Sequence, residues 1–319
     1  RTQTRLFILA VVAAQAIFVL AQTGSMVLSP YLWLADLANF IRLHLLIVGL
    51  SLAFCGVLLS SRATRLGAVA SIMVAIAPYL MLPPSAPDLG GVEIRVVSAN
   101  VLVENQDPSG FIALGDVREA DILVLQEMTR VWQDTLIETG IWAHESSRNM
   151  RLNTDMKVFS RYPVLAEAVV SPERDDTGGR HPLRLELDVE GRSLILYAVH
   201  AQTPRSSAMW GQRTAYLRDL VAAIQSERRD ASVIVVGDWN TPTFSPFFKN
   251  VLAETGYARA EARWWPLATR FSLRLDAFPQ LGVPIDHIAL SPNVGAISVR
   301  TSDRFGSNHL AIVARLALP

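Results

Sequence analysis

Residues 232–240 read Ser-Val-Ile-Val-Val-Gly-Asp-Trp-Asn. The first five form a short, largely β-branched apolar run, which predicts a strand buried inside a sheet. The strand stops at Gly237-Asp238-Trp239-Asn240, and in an extended chain residues two apart point to the same side. Asp238 and Asn240 would therefore direct a carboxylate and a carboxamide to one point. Because Gly-Asp-x-Asn is also an ordinary turn sequence, its meaning depends on the polar residues that border the other predicted strands.

Other polar residues occupy the same kind of position, at the end or the start of an apolar, strand-like run. They are Asn100, Glu127, His200, Asp286 and His309. Taken singly, each has an ordinary structural explanation, such as a turn, a helix N-terminus or a satisfied core histidine. Together with Asp238 they are hard to explain as coincidence, because sites are commonly built at sheet ends. The pattern predicts one functional site at an edge of the sheets.

The side chains at these positions suit hydrolysis of a phosphate ester. A carboxylate such as Glu127, at the end of a buried strand, suits a hard divalent cation, which prefers oxygen ligands. The neutral amide of Asn100 would hold a phosphate oxygen or a metal-bound water, and His200 would donate to a phosphate oxygen. Asp238 would orient or deprotonate the attacking water, and Asn240 would hold the transition state or orient Asp238.

Asp286 and His309 indicate a second pair of cooperating side chains. A carboxylate that fixes the tautomer of a histidine makes that histidine a better base or phosphate donor. We therefore expect Asp286 to orient His309. The neighbouring His287 is expected to be structural.

Composition divides the chain into two parts. Of its 319 residues 50% are hydrophobic, and the mean hydropathy of +0.28 is high for a soluble enzyme. The excess lies in three apolar segments, at about residues 6–22, 44–60 and 66–82, each near the lower length for a membrane-spanning helix. Three buried helices of a soluble domain are the alternative, but runs with almost no charge favour a membrane domain over residues 1–82. Proline and glycine residues then mark a linker at 83–91.

Arginine positions predict the orientation of the membrane domain. Arg1 and Arg5 precede the first segment, and Arg62 and Arg65 fill the short second loop. The positive-inside rule places both in the cytoplasm. Three spans then put residues 83–319 outside the cytoplasm, beside the outer face of the inner (plasma) membrane. The first loop, about residues 23–43, is rich in aromatic side chains and would lie on the outer leaflet or act as an aromatic belt.

From residue 92 the pattern changes to short β-rich runs separated by helical stretches. Strands are predicted at 93–99, 122–126, 157–160, 183–189, 193–199, 232–236, 285–290, 296–301 and 309–316. Helices are predicted at 109–120, 130–139, 206–226 and 246–254. Many strands with helices between them fit the α/β class, as a two-sheet α/β sandwich with helices outside. Residues 92–319 are thus expected to form the catalytic domain.

The charge of this domain argues mildly against a nuclease of duplex DNA. Residues 92–319 hold 24 basic and 27 acidic residues, a formal charge of −3, whereas such nucleases usually show a basic face. A local phosphate-binding rim is still possible, formed by Arg180, Arg184, Arg205 and Arg213.

The single cysteine, Cys55, excludes an intramolecular disulfide.

The order of the motifs resembles the endonuclease/exonuclease/phosphatase superfamily. The chain shows Asn, Gln-Glu, His, Gly-Asp-x-Asn, Asp-His and Ser-Asn-His in that order, over about residues 92–318. The sequence FSRYPV at 159–164 is similar to a strand of the same group, which includes DNase I-like nucleases, abasic-site endonucleases, inositol polyphosphate 5-phosphatases and bacterial sphingomyelinases. With its three N-terminal spans, the chain resembles the membrane-anchored subgroup that includes teicoplanin-resistance proteins of actinobacteria.

The resemblance implies a metal site beside a phosphate site. Glu127 would bind Mg²⁺ or Mn²⁺, with Asn100 and Asn308 nearby. His200 and Asn240 would contact the scissile phosphate.

The resemblance also implies the groups that move protons. Asp238 would position the nucleophilic water, and His309, oriented by Asp286, would serve as base or charge stabiliser. One departure matters, because the last motif of the superfamily is Ser-Asp-His and this chain has Asn308 in place of the aspartate. An amide keeps an acceptor oxygen but loses the charge, so we expect weaker metal affinity and an active single-metal enzyme.

Three functions are compatible with these features. The favoured one is a metal-dependent phosphohydrolase that acts on a phosphate or pyrophosphate lipid of the bilayer; the subgroup suggests polyprenyl (undecaprenyl) pyrophosphate, and a phospholipid headgroup is a variant. The second is an extracytoplasmic endonuclease, with nucleic acid as its partner. The third is a membrane sensor with weak or no activity, and only the replacement of the motif's aspartate by Asn308 supports it.

An aromatic stretch, residues 258–282, has two interpretations. It contains Trp264, Trp265, Phe271 and Phe278. The favoured interpretation is a loop that packs over the sheets. The alternative is an aromatic lip that dips into the bilayer or holds an acyl chain.

Overall fold

The computed structural model describes residues 2–59, 61–147, 155–272 and 277–319. The chain forms two compact units. The first consists of Arg1–Leu82 together with Thr243–Pro246, and the second of Pro83–Pro242 together with Phe247–Pro319. All strands found in the described residues lie in the second unit.

Long apolar helices make up the first unit. Its elements are α1 (Thr2–Leu28), α2 (Trp33–Leu37), a short 3₁₀-helix (Ala38–Ile41), α3 (Arg42–Leu58) and α4 (Arg62–Leu80). Three stretches, Thr2–Leu28, Trp33–Leu58 and Arg62–Leu80, are long and apolar enough to cross a membrane. Large apolar side chains such as Leu20 and Met73 are exposed on these helices. Such a surface suits lipid rather than water, so the three helices fit a membrane anchor.

The helical region is longer than the predicted spans at 6–22 and 44–60. Helix α1 continues to Leu28, and most of the predicted loop at 23–43 is helical. Polar residues that lower the hydropathy here are buried and paired with one another. Arg42 donates to Gln22 and to Asn39, and Asn39 donates to Asp36 (2.9 Å). Because each polar group has a partner, the helix can continue through positions that the sequence suggests as a loop.

The second unit is a mixture of strands and helices. Its strands are β1 (Val92–Asn100), β2 (Ile122–Gln126), β3 (His144–Glu145), β4 (Lys157–Ser160), β5 (Val164–Val169), β6 (Leu183–Val189), β7 (Arg192–His200), β8 (Ser232–Asp238), β9 (Ala258–Arg259), β10 (Asp286–Leu290), β11 (Gly295–Thr301) and β12 (Ile312–Leu318). Its α-helices are α5 (Ser109–Ile112), α6 (Gly115–Arg118), α7 (Arg130–Glu138), α8 (Ser207–Gln225) and α9 (Pro246–Thr255), and Pro279–Leu281 is a 3₁₀-helix.

These strands form two six-stranded sheets in the described part of the chain. The first has the order β11-β12-β1-β2-β4-β3 and the second β5-β6-β7-β8-β10-β9. In each sheet the two central strands are parallel, β1 beside β2 and β7 beside β8, and their other neighbours are antiparallel. The predicted two-sheet α/β sandwich is confirmed.

Alternation along the strands builds three layers of core. Ile94 and Val96 of β1 pack in the central layer with side chains of the second sheet such as Leu196 and Ile234. The intervening residue Val97 faces outward, in a layer with side chains of α5 and α7. The outer face of the second sheet packs against α8 and α9. Strands covered on both faces must be apolar throughout, which explains the unbroken apolar run of β2 and β8.

The main differences from the prediction lie in short or edge elements. The predicted helix 109–120 is two short helices, separated before Gly115, a residue that weakens a helix interior. The edge strand β5 was not predicted; it is at most partly buried, and Glu167 interrupts its apolar sequence. The last strand begins at Ile312 rather than at 309, since residues 307–310 bend into loop contacts.

Candidate active site

The ends of the four central strands meet at one edge of the sandwich. In the parallel pair β1 and β2, Asn100 is the partner of Gln126, so Glu127 follows directly beside Asn100. In the parallel pair β7 and β8, His200 is the partner of Asp238. The antiparallel strand β10 begins at this edge, where Asp286 is the partner of Asp238. Strand polarity therefore brings together side chains that are far apart in sequence.

Asp238 lies at the centre of the cluster. Its side chain is buried, with 1% of the residue surface exposed. The Asn240 backbone N–H donates to Asp238 Oδ1 (2.9 Å), and the Asn100 side-chain amide donates to Oδ2 (3.2 Å) from the other sheet. Burial raises the pKa of Asp238, and the nearby charge of Asp286 raises it further. A carboxylate with a raised pKa is suited to accept a proton.

Asn240 is held in the site by its own backbone. It has a positive φ of 46°, which asparagine tolerates better than most residues. Its side-chain amide donates to Ala201 O (2.9 Å) and to Asp238 Oδ2 (3.2 Å), and Arg213 donates to its backbone carbonyl (3.1 Å). In this geometry Asn240 orients Asp238.

Asp286 and His309 form a buried hydrogen-bonded pair. His309 Nδ1 lies 2.9 Å from Asp286 Oδ2, and His309 Nε2 lies 3.9 Å from Asp238 Oδ2. Burial by itself lowers the pKa of His309, but the charge of Asp286 and the hydrogen bond with it outweigh burial, so the pKa is raised. His309 is therefore suited to carry a proton, and its second ring nitrogen, Nε2, faces Asp238.

A second acid–histidine pair was not predicted from the sequence. His200 Nδ1 lies 2.9 Å from Asp155 Oδ1, and His200 Nε2 lies 3.8 Å from both Glu127 Oε1 and Asp238 Oδ2. Burial raises the pKa of Asp155, but the charge of His200 and the hydrogen bond with it outweigh burial and lower the pKa. Asp155 comes two residues before β4, which runs antiparallel to β2. A polar residue just before an antiparallel strand was the available signal.

Glu127 has an unusual backbone at the end of β2. Its φ is +56°, in the left-handed region that is uncommon for a residue other than glycine. The Asn100 amide donates to Glu127 Oε1 (3.0 Å) and the Val103 N–H donates to Oε2 (3.2 Å). Burial raises the pKa of Glu127, but these hydrogen bonds and the charge of His200 outweigh burial and lower it. The side chain is thus kept as a carboxylate.

A cavity of about 350 Å³ opens over this cluster. The predicted residues that line it are Asn100, Glu127, Asp238, Asn240, Asn308 and His309. His200 and Asp286 are buried and contact residues of the cavity wall. Ser307 helps to hold the last motif here, because its hydroxyl donates to Asn100 O (2.7 Å) and accepts from the His309 N–H (3.0 Å). All eight predicted site residues therefore converge, while their individual roles stay predictions.

Residues 97–309 match the Endonuclease/Exonuclease/phosphatase family. The chain belongs to this family. The predicted resemblance is thereby confirmed at the level of the family, and the membrane-anchored subgroup stays a prediction. No curated protein matches the chain significantly in sequence.

Solved structures of similar fold include known family members and phosphoric-ester hydrolases. An endonuclease/exonuclease/phosphatase from Beutenbergia cavernae is 19% identical, with a TM-score of 0.54, over 71% of this chain and 72% of the other. Sphingomyelinase C from Streptomyces griseocarneus is 15% identical (TM-score 0.52; 70% and 99% covered). D. rerio TDP2 complexed with single strand DNA product is 17% identical (TM-score 0.56; 70% and 98% covered). At these identities the likeness shows the DNase I-like fold.

Members of the family depend on a divalent metal, and the site residues fit one. Asp238, Asp286 and His309 each offer a ligand atom, and these atoms lie within 4.8 Å of one another. Asn308 Oδ1 is buried without a hydrogen-bond partner among the described residues, and Glu127 lines the same cavity. Carboxylate and amide oxygens are the ligands that Mg²⁺ and Mn²⁺ prefer.

The two sets of possible metal ligands are not equivalent. In the Asp238, Asp286 and His309 group, Asp286 already accepts a hydrogen bond from His309, which suits proton transfer better than coordination. We therefore favour Glu127 and Asn308, two oxygen-bearing residues that line the cavity. The Asn100 oxygen accepts from the Leu102 N–H (3.0 Å), and its amide donates to two carboxylates. Asn100 thus orients the acidic side chains, and its role as a metal ligand stays a prediction.

Two of the four arginines of the predicted rim lie at the cavity. Arg180 and Arg205 line it, and Arg270, which was not predicted, joins them. Arg184 instead pairs with Glu227 (2.5 Å). Arg213 is buried and supports Asn240. Arg270 follows no strand-like run, so the sequence offered no signal for it.

His287 has the structural position that was expected. It is buried, its Nε2 lies 2.8 Å from Thr241 O, and its ring packs 4.2 Å from that of Phe248. Burial lowers its pKa to about 4, so the ring is neutral at physiological pH. A larger cavity of about 800 Å³ lies beside residues such as Trp265 and Leu310 and shares no lining residue with the site. Its lining in the described segments holds no histidine or cysteine, so we assign the chemistry to the smaller cavity.

Proposed function

We propose that the protein is a divalent-metal-dependent phosphohydrolase that acts outside the cytoplasm on a phosphate or pyrophosphate lipid of the membrane. The candidate substrates are polyprenyl pyrophosphate and phospholipid headgroups. The observation that carries the proposal is the cluster around Asp238 in a chain that also has three helices fit to anchor it in a membrane. The fold is of the phosphodiesterase and phosphatase type.

The arrangement of side chains supports attack of water on phosphorus. Asp238, with a raised pKa, would orient the water and take its proton as the new P–O bond forms. His309, protonated and held by Asp286, would donate to a phosphoryl oxygen or to the leaving oxygen as the old P–O bond breaks. His200, oriented by Asp155, would donate to another phosphoryl oxygen. The hydroxyl of the water thus joins the phosphate product, and a proton is supplied to the leaving group.

Metal and protein groups would share the charge of the reaction. A bound Mg²⁺ or Mn²⁺ ion, held by Glu127 and Asn308, would offset negative charge on the phosphoryl oxygens. The protein holds the Glu127 carboxylate in place through Asn100 and the Val103 N–H. Preorganised donors of this kind lower the barrier because they need no rearrangement during reaction.

The membrane side of the proposal rests on charge and apolar surface. Arg5, Arg62 and Arg65 lie at the ends of the apolar helices that the positive-inside rule assigns to the cytoplasm. In the second unit Trp264 is 72% exposed and Phe278 is 58% exposed, whereas Phe271 is buried. Exposed aromatic side chains are common where proteins meet membranes. Protease treatment of intact spheroplasts should therefore degrade residues 83–319, and full protection would contradict the orientation.

The central test is phosphate release by the detergent-solubilised full-length protein. Undecaprenyl pyrophosphate and phospholipids in micelles would be assayed with Mg²⁺, with Mn²⁺ and with EDTA. The Asp238→Ala variant and Asp134→Ala, at an exposed position of α7, serve as the matched pair. Metal-dependent release that is lost only in Asp238→Ala supports the proposal, and no release from any lipid contradicts it.

An extracytoplasmic endonuclease is the second candidate, and the observation in its favour is the pair Arg180 and Arg205 at the cavity. Plasmid nicking in the same buffers distinguishes the two functions. Nicking that requires metal and Asp238, without any lipid hydrolysis, would reassign the protein to nucleic acid. Turnover at catalytic Mg²⁺ concentrations would exclude the third candidate, an inactive membrane sensor.

A further inference from the structure

Three arginines reach the catalytic cavity from three separate loops. Arg180 precedes β6, Arg205 follows β7, and Arg270 lies in an extended segment beside His309. Strands β6 and β7 are neighbours in the second sheet. The cavity is thus bordered by positive charge in addition to the histidines of the site.

These arginines lack the close carboxylate that several other arginines of the domain have. Arg205 and Arg270 form no ion pair with any residue in the described ranges. For Arg180 the nearest carboxylate is Asp155, at 3.7 Å, and Arg180 Nη1 is buried without a hydrogen-bond partner in the same part of the chain. Arg184 and Arg315, in contrast, are each paired with a glutamate at 2.5–2.6 Å. Guanidinium groups at a cavity are suited to bind an anionic ligand when they have no ion pair in the described residues, as Arg205 and Arg270, or only a long one, as Arg180.

Backbone hydrogen bonds fix the position of Arg270. Its N–H donates to Val283 O (3.0 Å) and its carbonyl accepts from the Val283 N–H (2.7 Å). Two further hydrogen bonds join this segment to the residues around His309. The N–H of Phe271 donates to Asn308 O (2.9 Å), and the N–H of Leu310 donates to Thr269 O (2.7 Å). The charge of Arg270 acts on His309, whose pKa it lowers in part. Arg270 is therefore an ordered neighbour of the catalytic pair.

One phosphate group does not account for all of these donors. In the proposed reaction the scissile phosphate is already served by His200, His309 and the metal ligands. Three further guanidinium groups would fit a second phosphate next to the first. We infer that Arg180, Arg205 and Arg270 form a subsite for a second phosphate, so that the enzyme prefers a diphosphate ester to a monophosphate ester. This inference rests on the proposed function.

The subsite would bind the phosphate that leaves with the lipid. Water would attack the terminal phosphorus, the bond from that phosphorus to the bridging oxygen would break, and inorganic phosphate and a monophosphate ester would form. The arginines would balance charge that develops on the bridging oxygen and its phosphate. A nucleic acid strand also carries successive phosphates. The net charge of −3 for residues 92–319 does not favour such a strand.

The inference can be tested by binding, without any turnover. Methylenediphosphonate, which has a P–C–P link that cannot be hydrolysed, is compared with inorganic phosphate by calorimetry on the full-length protein in detergent micelles, at a fixed free Mg²⁺ concentration. The variants are Arg205→Gln, Arg270→Gln and their combination. Arg229→Gln, at an exposed position outside the cavity, is the control. Thermal unfolding of each variant verifies that it is folded.

We expect methylenediphosphonate to bind the native protein at least about tenfold more tightly than phosphate, a difference of about 1.4 kcal/mol. Each single arginine variant should lose much of that preference, the double variant nearly all of it, and Arg229→Gln none. Equal affinity of the native protein for both ligands, or a preference that the double variant keeps, overturns the inference. Displacement of methylenediphosphonate by a single-stranded oligonucleotide, through the same arginines, would also overturn it by assigning the subsite to nucleic acid.

The outcome is separable from that of the proposed function. If the arginine-dependent preference is found but no lipid diphosphate is hydrolysed, the subsite stands and the lipid phosphohydrolase does not. If lipid phosphates are hydrolysed without any preference for diphosphate, the proposed function stands and the subsite does not.

Discussion

Asp155 Oδ1 lies 2.9 Å from His200 Nδ1, and this contact joins two residues that are 45 positions apart in the chain. The contact between Asp286 and His309, also 2.9 Å, has the same form. Each aspartate fixes one ring nitrogen of its histidine, so that the other nitrogen faces Asp238 at 3.8 or 3.9 Å. The site thus has two oriented histidines around one central carboxylate.

Asp155 should contribute to the rate through its contact with His200. Asp155→Asn removes the charge that orients His200, so kcat should fall about 10- to 100-fold with a smaller change in KM. The rate of hydrolysis of the accepted substrate is measured beside Asp134→Asn, at an exposed site. A kcat equal to that of the control would show that His200 needs no partner.

Asp286 and His309 should behave as a unit. Asp286→Asn and His309→Ala are each expected to lower kcat by about 10²- to 10⁴-fold, because each removes the oriented, protonated imidazole. The kcat of the double variant should be little lower than that of the less active single variant. A double-mutant cycle on kcat measures this, and multiplication of the two losses would mean that the residues act independently.

Asn308 offers a test of the metal site. Asn308→Asp adds a negative charge to an oxygen that has no hydrogen-bond partner in the described residues. We expect the Mg²⁺ concentration for half-maximal activity to fall about 3- to 10-fold, since ligand charge strengthens binding of hard cations. Asn308→Ala should raise that concentration. If both variants titrate like the native protein, Asn308 does not hold the metal.

Gly237 is required by the close approach of β7 and β8. It has a φ of +144°, and an added Cβ would lie 2.0 Å from the backbone carbonyl oxygen of Val199. Gly237→Ala should therefore destabilise the fold by about 3 kcal/mol or more. In contrast, Gly211→Ala in α8 meets nothing within 4 Å and should stabilise by about 0.5–1 kcal/mol. Thermal unfolding in detergent compares the two, and similar midpoints would contradict the steric argument.

Ionisation of Glu261 should lower the stability of the folded protein as the pH rises. Burial raises its pKa from 4.5 to about 7, despite the hydrogen bond from the Leu267 N–H (2.6 Å). The folded state therefore binds a proton that the unfolded state has lost between pH 4.5 and 7, and folding is penalised once Glu261 ionises. The penalty is absent below pH 4.5 and complete above pH 7. Glu261→Gln should remove it.

The measurement is the difference in unfolding free energy between Glu261→Gln and the native protein at several pH values. The variant should be more stable by up to about 3 kcal/mol at pH 8 and gain little at pH 4.5. A difference that does not vary with pH would show that Glu261 ionises normally in the folded state.

Much of the site could be predicted because its residues border apolar runs. Asn100, His200 and Asp238 end strands, and Glu127 follows one, whose type is readable from local sequence; the parallel pairs β1–β2 and β7–β8 place these ends at one edge. Asp155 and Arg270 were missed for the opposite reason. Neither follows a strand, and each is brought to the cavity by the path of a loop.

The sequence by itself determined the apolar helices, most of the strands and the polar residues at their ends, because these depend on periodicity and composition over a few residues. Only the tertiary structure decided which of those residues meet. The amide of Asn100 donates to Asp238, 138 positions away and in the other sheet. That contact depends on the order of the strands and on the packing of two sheets through a common core. Neither is encoded in a local pattern, because both follow from burial of apolar faces that lie far apart in the chain.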